Sequence, residues 1–127
     1  MREILFRGKR TDTKEWIEGV AFPHDNNKVT MLSQHPMDGS LVGKEVDPET
    51  VGQYTGLTDK KGKKIFEGDI IEYEGNRYSI NYLLHYARFS AVKPNTVFCV
   101  FAYQHGKVIG NIYDNPELLR GVENEKV

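Results

Sequence analysis

The sequence predicts a mainly β fold, a single compact domain of antiparallel strands with one or two short helical turns. Three observations carry this. Short runs such as EILFR (3–7) and RYSINYLL (77–84) alternate side chains between two faces, which is the period of a strand. Gly56, Gly62 and Gly68 fall at even intervals beside residues that would otherwise continue a strand, where glycine marks a turn or a close backbone approach. The run VFCVFAY (97–103) is strongly β-prone and too short for a buried helix. At 127 residues the chain fits one domain, residues 1–127, able to bury a core without a disulfide or metal staple.

Taken in order, Glu3 to Arg7 reads as the first strand, with Ile4 and Phe6 on one face. A polar turn (GKRTDTK) leads to Glu15 to Phe22, the second strand of a hairpin with a longish loop. After the turn cluster PHDNN, Lys28 to Leu32 forms a short third strand, and Ser33 to Lys44 reads as a surface loop. Asp47-Pro48-Glu49-Thr50 carries a helix-start signal, an aspartate cap followed by proline at the first helical position. Gly52 limits it to one turn.

The stretch from Val51 to Tyr73 is the most ordered in pattern. Asp59-Lys60-Lys61-Gly62 suits a β-turn with Asp first and Gly last. Lys64 to Phe66 can pair back, Gly68 reverses the chain, and Asp69 to Tyr73 (DIIEY) is a strand whose leading aspartate is placed to bind turn amides. Glu74-Gly75-Asn76 then turns into the Arg77 to Leu84 strand, the clearest hairpin in the chain. His85 to Val92 satisfies neither the helical nor the strand period. Val97 to Tyr103 and Lys107 to Tyr113 are further strands, the latter interrupted by Gly110. Asn115-Pro116 opens a terminal helical turn, and residues 122–127 read as a frayed tail.

These ordered residues resemble a known family. The pattern Gln53-Tyr54-Thr55-Gly56-Leu57, Asp59, Gly62-Lys63, Ile65 and Glu67-Gly68-Asp69-Ile70-Ile71 is similar to that of the YopX family, as are Gly110-Asn111-Ile112-Tyr113 and Asn115-Pro116-Glu117-Leu118-Leu119. The opening MREILFR and the Trp16 to Gly19 segment fit the same family, whereas 23–46 and 85–95 depart from it. The resemblance implies a small β protein with an SH3-like barrel part, encoded by phages or prophages of Gram-positive bacteria, with no established activity or catalytic residues.

The composition narrows the chemistry. A net charge of −1 gives no global attraction to nucleic acid or anionic membrane, so any such binding needs a local patch. No apolar run approaches a membrane span and the start MREILFRGKR has no secretory core, so the expected location is the cytoplasm, with no membrane partner; the family resemblance implies that this is the cytoplasm of a bacterial host. The lone Cys99 sits in an apolar run and reads as a structural thiol. His24, His35, His85 and His105 lack ligand spacing, so neither a metal site nor a cofactor is expected. Among Glu67, Asp69, Glu72 and Glu74, the last two would share a strand face, but a solvated face explains them without chemistry.

Lys60, Lys61, Lys63 and Lys64 lie on one turn, with Tyr54 or Phe66 nearby in sequence for stacking and Tyr73, Tyr78, Tyr82 and Tyr86 to extend a platform. Gly56, Gly62, Gly68 and Asp69 are read as the structural motif that frames this turn. No catalytic constellation is present in the pattern. Two functions fit: a non-catalytic interaction module that binds a macromolecule or self-associates through a β edge, and a small β-barrel that binds nucleic acid through the lysine turn.

Overall fold

The computed structural model describes residues 4–84, 86–93, 96–99 and 104–119, with residues 96–99 described by their backbone alone. The expected structural thiol of Cys99, the role of His85, the strand beyond residue 99 and the 122–127 tail lie outside the described residues. The fold is mainly β, with two antiparallel sheets, as the alternation predicted. The chain divides into two compact units, Met1–Tyr54 and Thr55–Val127.

In the first unit, β1 (Phe6–Lys9), β2 (Trp16–His24), β3 (Lys28–Gln34) and β4 (Leu41–Val46) follow one another as antiparallel neighbours. The segment expected to be a loop up to Lys44 therefore contains most of a strand. Leu41, Gly43 and Glu45 are exposed while Val42 and Lys44 are partly buried. That alternation was masked in the sequence by a glycine and by a lysine on the inner side. An isolated bridge between Arg10 and Val46, with Thr11 N–H donating to Glu45 O at 3.1 Å, brings β4 back to the end of β1. The sheet thus curls, and Met31 and Val46 are fully buried inside the curl. Gly8 makes room for them: a Cβ there would lie 3.1 Å from Val46 and 3.4 Å from Met31 Cε.

On the opposite face, Trp16 pairs with Lys9 across the β1/β2 register, and the Arg7 guanidinium and Lys9 ammonium stand 4.7 and 5.8 Å from its ring centroid. The expected single turn is a 3₁₀ turn at Pro48–Thr50. Asp47 accepts from Glu49 N–H at 3.1 Å, and Thr50 turns inward to accept from Lys9 N–H at 2.9 Å.

The second unit holds a five-stranded sheet in the order β10-β9-β8-β7-β11. Its strands are β7 (Asp69–Tyr73), β8 (Asn76–Leu83), β9 (Arg88–Lys93), β10 (Thr96–Cys99) and β11 (Lys107–Asn111). The segment ambiguous in sequence is thus β9, preceded by a turn. β5 (Gly52–Thr58) runs across the division of the chain, and β6 (Lys64–Phe66) lies next to it in the sheet. The core is Ile65, Ile71, Tyr78, Ile80 and Ala91, all buried, with Leu57, Tyr73, Phe89 and Val108 packed around them. Burying one such aliphatic side chain contributes about 1.5–3 kcal/mol.

The β7–β8 hairpin is the predicted one. Tyr73 faces Asn76, and the two residues between them, Glu74 and Gly75, have φ of 50° and 80°, the left-handed pair of a type I′ turn. This removes Glu74 from the strand, so it does not share a strand face with Glu72. Glu72 lies instead between Arg77 and Lys107, at 3.8 and 4.0 Å. In β11 the pairing with β7 shifts register between Val108 and Gly110, which is the interruption expected at that glycine. Gly110 is also required sterically, since a Cβ would lie 2.5 Å from Asn115 Oδ1. The Asn115 side-chain Oδ1 accepts from Asn111 N–H at 3.2 Å, so it braces the end of β11, and residues 117–119 form the terminal helical turn.

Candidate functional site

The Asp59 to Lys64 turn is built around one carboxylate. Asp59 is 6% exposed, and its Oδ1 accepts from Lys61 N–H at 2.8 Å and Lys63 N–H at 2.9 Å. Its Oδ2 accepts from Val108 N–H on β11 at 2.9 Å. Gly62 N–H donates to Asp59 O at 3.0 Å, closing the β-turn that the Asp-first, Gly-last pattern predicted, with Gly62 at φ 84°. Burial pushes the Asp59 carboxyl up. The backbone N–H groups of Val108, Lys63 and Lys61, together with the Lys63 charge, outweigh that and hold it below the ordinary carboxylate value. A second tie runs beside the first, from Lys60 N–H to Gly106 O at 3.0 Å.

The side chains of Lys60, Lys61 and Lys63 are exposed, and Lys64 is partly buried at the start of β6. Three lysines of the turn therefore stand exposed while the carboxylate of Asp59 points inward and accepts from three amides. An unpaired turn of like charges would fray; here the backbone hydrogen bonds set its shape. Charge-assisted bonds of this kind contribute about 1.5–3 kcal/mol each when buried.

The second half of the predicted motif is a corner that supports the first. Gly68 has φ 93°, its N–H donates to Ile80 O at 2.8 Å, and its carbonyl accepts from Ile112 N–H at 2.8 Å. A Cβ at this position would stand 3.0 Å from the Tyr113 ring, so both backbone conformation and space demand glycine. Asp69, 1% exposed, accepts from Phe66 N–H at 2.8 Å, the structural role that its place after Gly68 suggested. Gly56 has φ 90° with open space around it, so its requirement is conformational alone.

The aromatic residues expected beside the lysines are placed differently. Tyr54 is 9% and Phe66 3% exposed, and Tyr78 is in the core, so none of the three rings stands in solvent to stack on a ligand. Tyr54 follows the alternation of β5, whereas β6 buries both Ile65 and Phe66, so its two faces are both covered. Tyr82 and Tyr86 are exposed at the β8–β9 turn, Tyr82 edge-on to Phe89 and Tyr86 under the Arg88 guanidinium at 4.9 Å. Among the described residues no three His, Cys, Asp or Glu side chains gather closely enough to hold a metal ion. Nor is any helix there long and apolar enough to cross a membrane.

What sequence reasoning missed is the neighbour of the lysine turn. Residues 104–108 lie against it through Gly106 O and Val108 N–H, bringing exposed His105 and partly buried Lys107 to the same end of the sheet. Gly106 lets this turn sit close on β7: a Cβ on it would lie 2.7 Å from Glu72 O. No local pattern signals a contact across nearly fifty residues.

Comparison with known proteins agrees with this architecture. The chain is similar to the crystal structure of protein EF1440 from Enterococcus faecalis, at 28% identity and a TM-score of 0.59, over 94% of this chain and 99% of that one. No curated protein matches it. The family model described as YopX protein matches residues 5–120, nearly the whole length. That match includes the Asp59 turn, the Gly68 corner and the Asn111 to Leu118 brace. On the strength of that match, the chain belongs to the YopX family.

Proposed function

We propose that this protein is a non-catalytic interaction module that binds an anionic macromolecule through the Lys60–Lys64 turn. The carrying observation is the inward saturation of Asp59, whose carboxylate is consumed by three backbone amides while three lysines stand exposed around it. A cationic loop held in one shape loses little further entropy on binding, which favours recognition over mere solubility. The reading carries with it what the family resemblance implies: an SH3-like barrel part and a phage or prophage accessory protein working in the cytoplasm of its bacterial host.

The test is capture from lysate of prophage-carrying cells at low salt, using the tagged protein and a variant with Lys60, Lys61 and Lys63 changed to Gln. A macromolecule retained by the first and lost by the variant is the expected result. Equal retention by both would remove the lysine turn from the function.

A further inference from the structure

The lysine turn is half of a larger surface. Its backbone is joined to the 104–108 turn by Lys60 N–H on Gly106 O at 3.0 Å and by Asp59 Oδ2 on Val108 N–H at 2.9 Å. We propose that the Lys60–Lys63 turn and the His105–Lys107 turn form one composite site for the phosphate backbone of a nucleic acid. This rests on the reading of the lysine turn as the contact point, and it adds both the partner's class and the second turn.

Two features favour phosphate over an acidic protein surface. A stable protein interface has an apolar centre within its polar rim. None of the exposed large apolar side chains of the described residues falls within 59–64 or 104–108. Lysine is also a compact point charge suited to phosphate oxygens, and contacts of that kind position a strand without reading its sequence. The carboxylates nearby do not cancel the site. Asp59 faces inward onto amides, and Glu72, 4.0 Å from Lys107 Nζ, divides its charge with Arg77 at 3.8 Å. His105 is exposed in the second turn.

The experiment measures binding of a labelled 20-nucleotide single strand, its duplex and poly-glutamate to the full chain between 50 and 200 mM salt. Nucleic acid is expected to bind, with log K falling linearly against log salt. Lys61→Gln and Lys107→Gln should each reduce that slope by about 0.7–0.9 and weaken binding about fivefold at 0.1 M salt. Lys107→Arg should restore both. Lys28→Gln, an exposed lysine of the first unit, should change neither. If Lys61→Gln acts and Lys107→Gln does not, the composite site is wrong while the lysine turn stands. Binding of poly-glutamate without nucleic acid overturns the phosphate assignment alone. Binding of none of the three probes brings down both this inference and the reading beneath it.

Discussion

The β3–β4 tip at residues 35–40 and the lysine turn at residues 59–64 are built from similar parts. Each has an aspartate folding back onto nearby amides and a glycine at positive φ, Gly39 at 74° and Gly62 at 84°. Asp38 accepts from Ser40 N–H at 2.9 Å and from Ser40 Oγ at 2.7 Å, and its side chain is 68% exposed. Those bonds hold its carboxyl below the usual value, yet every partner is local. Asp59 makes the same kind of bond to its own turn and then reaches β11 as well. A turn tied only to itself can open without disturbing its unit. A turn tied to a distant strand opens only by breaking that strand's docking.

The largest effect expected from this contrast is Asp59→Ala. It leaves three backbone N–H groups without their acceptor and should destabilise the second unit by about 2–4 kcal/mol, read as a lowered urea midpoint with unchanged slope. Asp38→Ala should stay within about 0.5 kcal/mol. Comparable losses for the two would show that the anchor to β11 adds nothing.

Gly68→Ala is expected to follow at about 2 kcal/mol or more, because it adds a contact with Tyr113 to an unfavourable φ. Gly39→Ala, with nothing within 4 Å of its Cβ, carries the backbone term alone, about 1 kcal/mol. Thermal melts of the two variants measure the difference.

Acid titration sharpens the comparison further. Asp59 is held below its unfolded value of about 3.9, so the stability it contributes is fully present above about pH 5 and is lost as pH falls through the folded value. Asp59→Asn should flatten that part of the pH-stability curve; Asp38→Asn should flatten it in the same direction but less, because the Asp38 carboxyl is exposed and its bonds are screened by solvent. The same variant separates shape from charge in binding. Asp59→Asn makes the turn more positive but slackens it, so weaker anion binding would show that the set shape matters more than one added charge.

The sequence made the local parts of this fold legible. Asp59-Lys60-Lys61-Gly62, Glu74-Gly75 and Asp47-Pro48 each have a residue whose own chemistry dictates the turn, and each folds as predicted. β4 was missed because Gly43 and Lys44 interrupt its apolar pattern, and its strand state depends on pairing with β3 and on the bridge to Arg10. Tyr54 and Phe66 are near the lysines in sequence, but the alternation of β5 buries Tyr54, and β6 is covered on both faces, which buries Phe66 beside Ile65. The candidate site was legible as a charge cluster. Its second half was not, since Gly106 and Val108 reach it only through tertiary hydrogen bonds.

The bond from Asp59 to Val108 spans 49 residues, and that separation has a consequence for the order in which the chain takes shape. Closing so long a loop is slow compared with forming the two-residue β7–β8 hairpin inside it. Asp59 Oδ1 can therefore close its own turn on Lys61 and Lys63 N–H early, while Oδ2 waits for Val108. The shape of the lysine turn is local, and its anchorage comes only when β11 docks on β7.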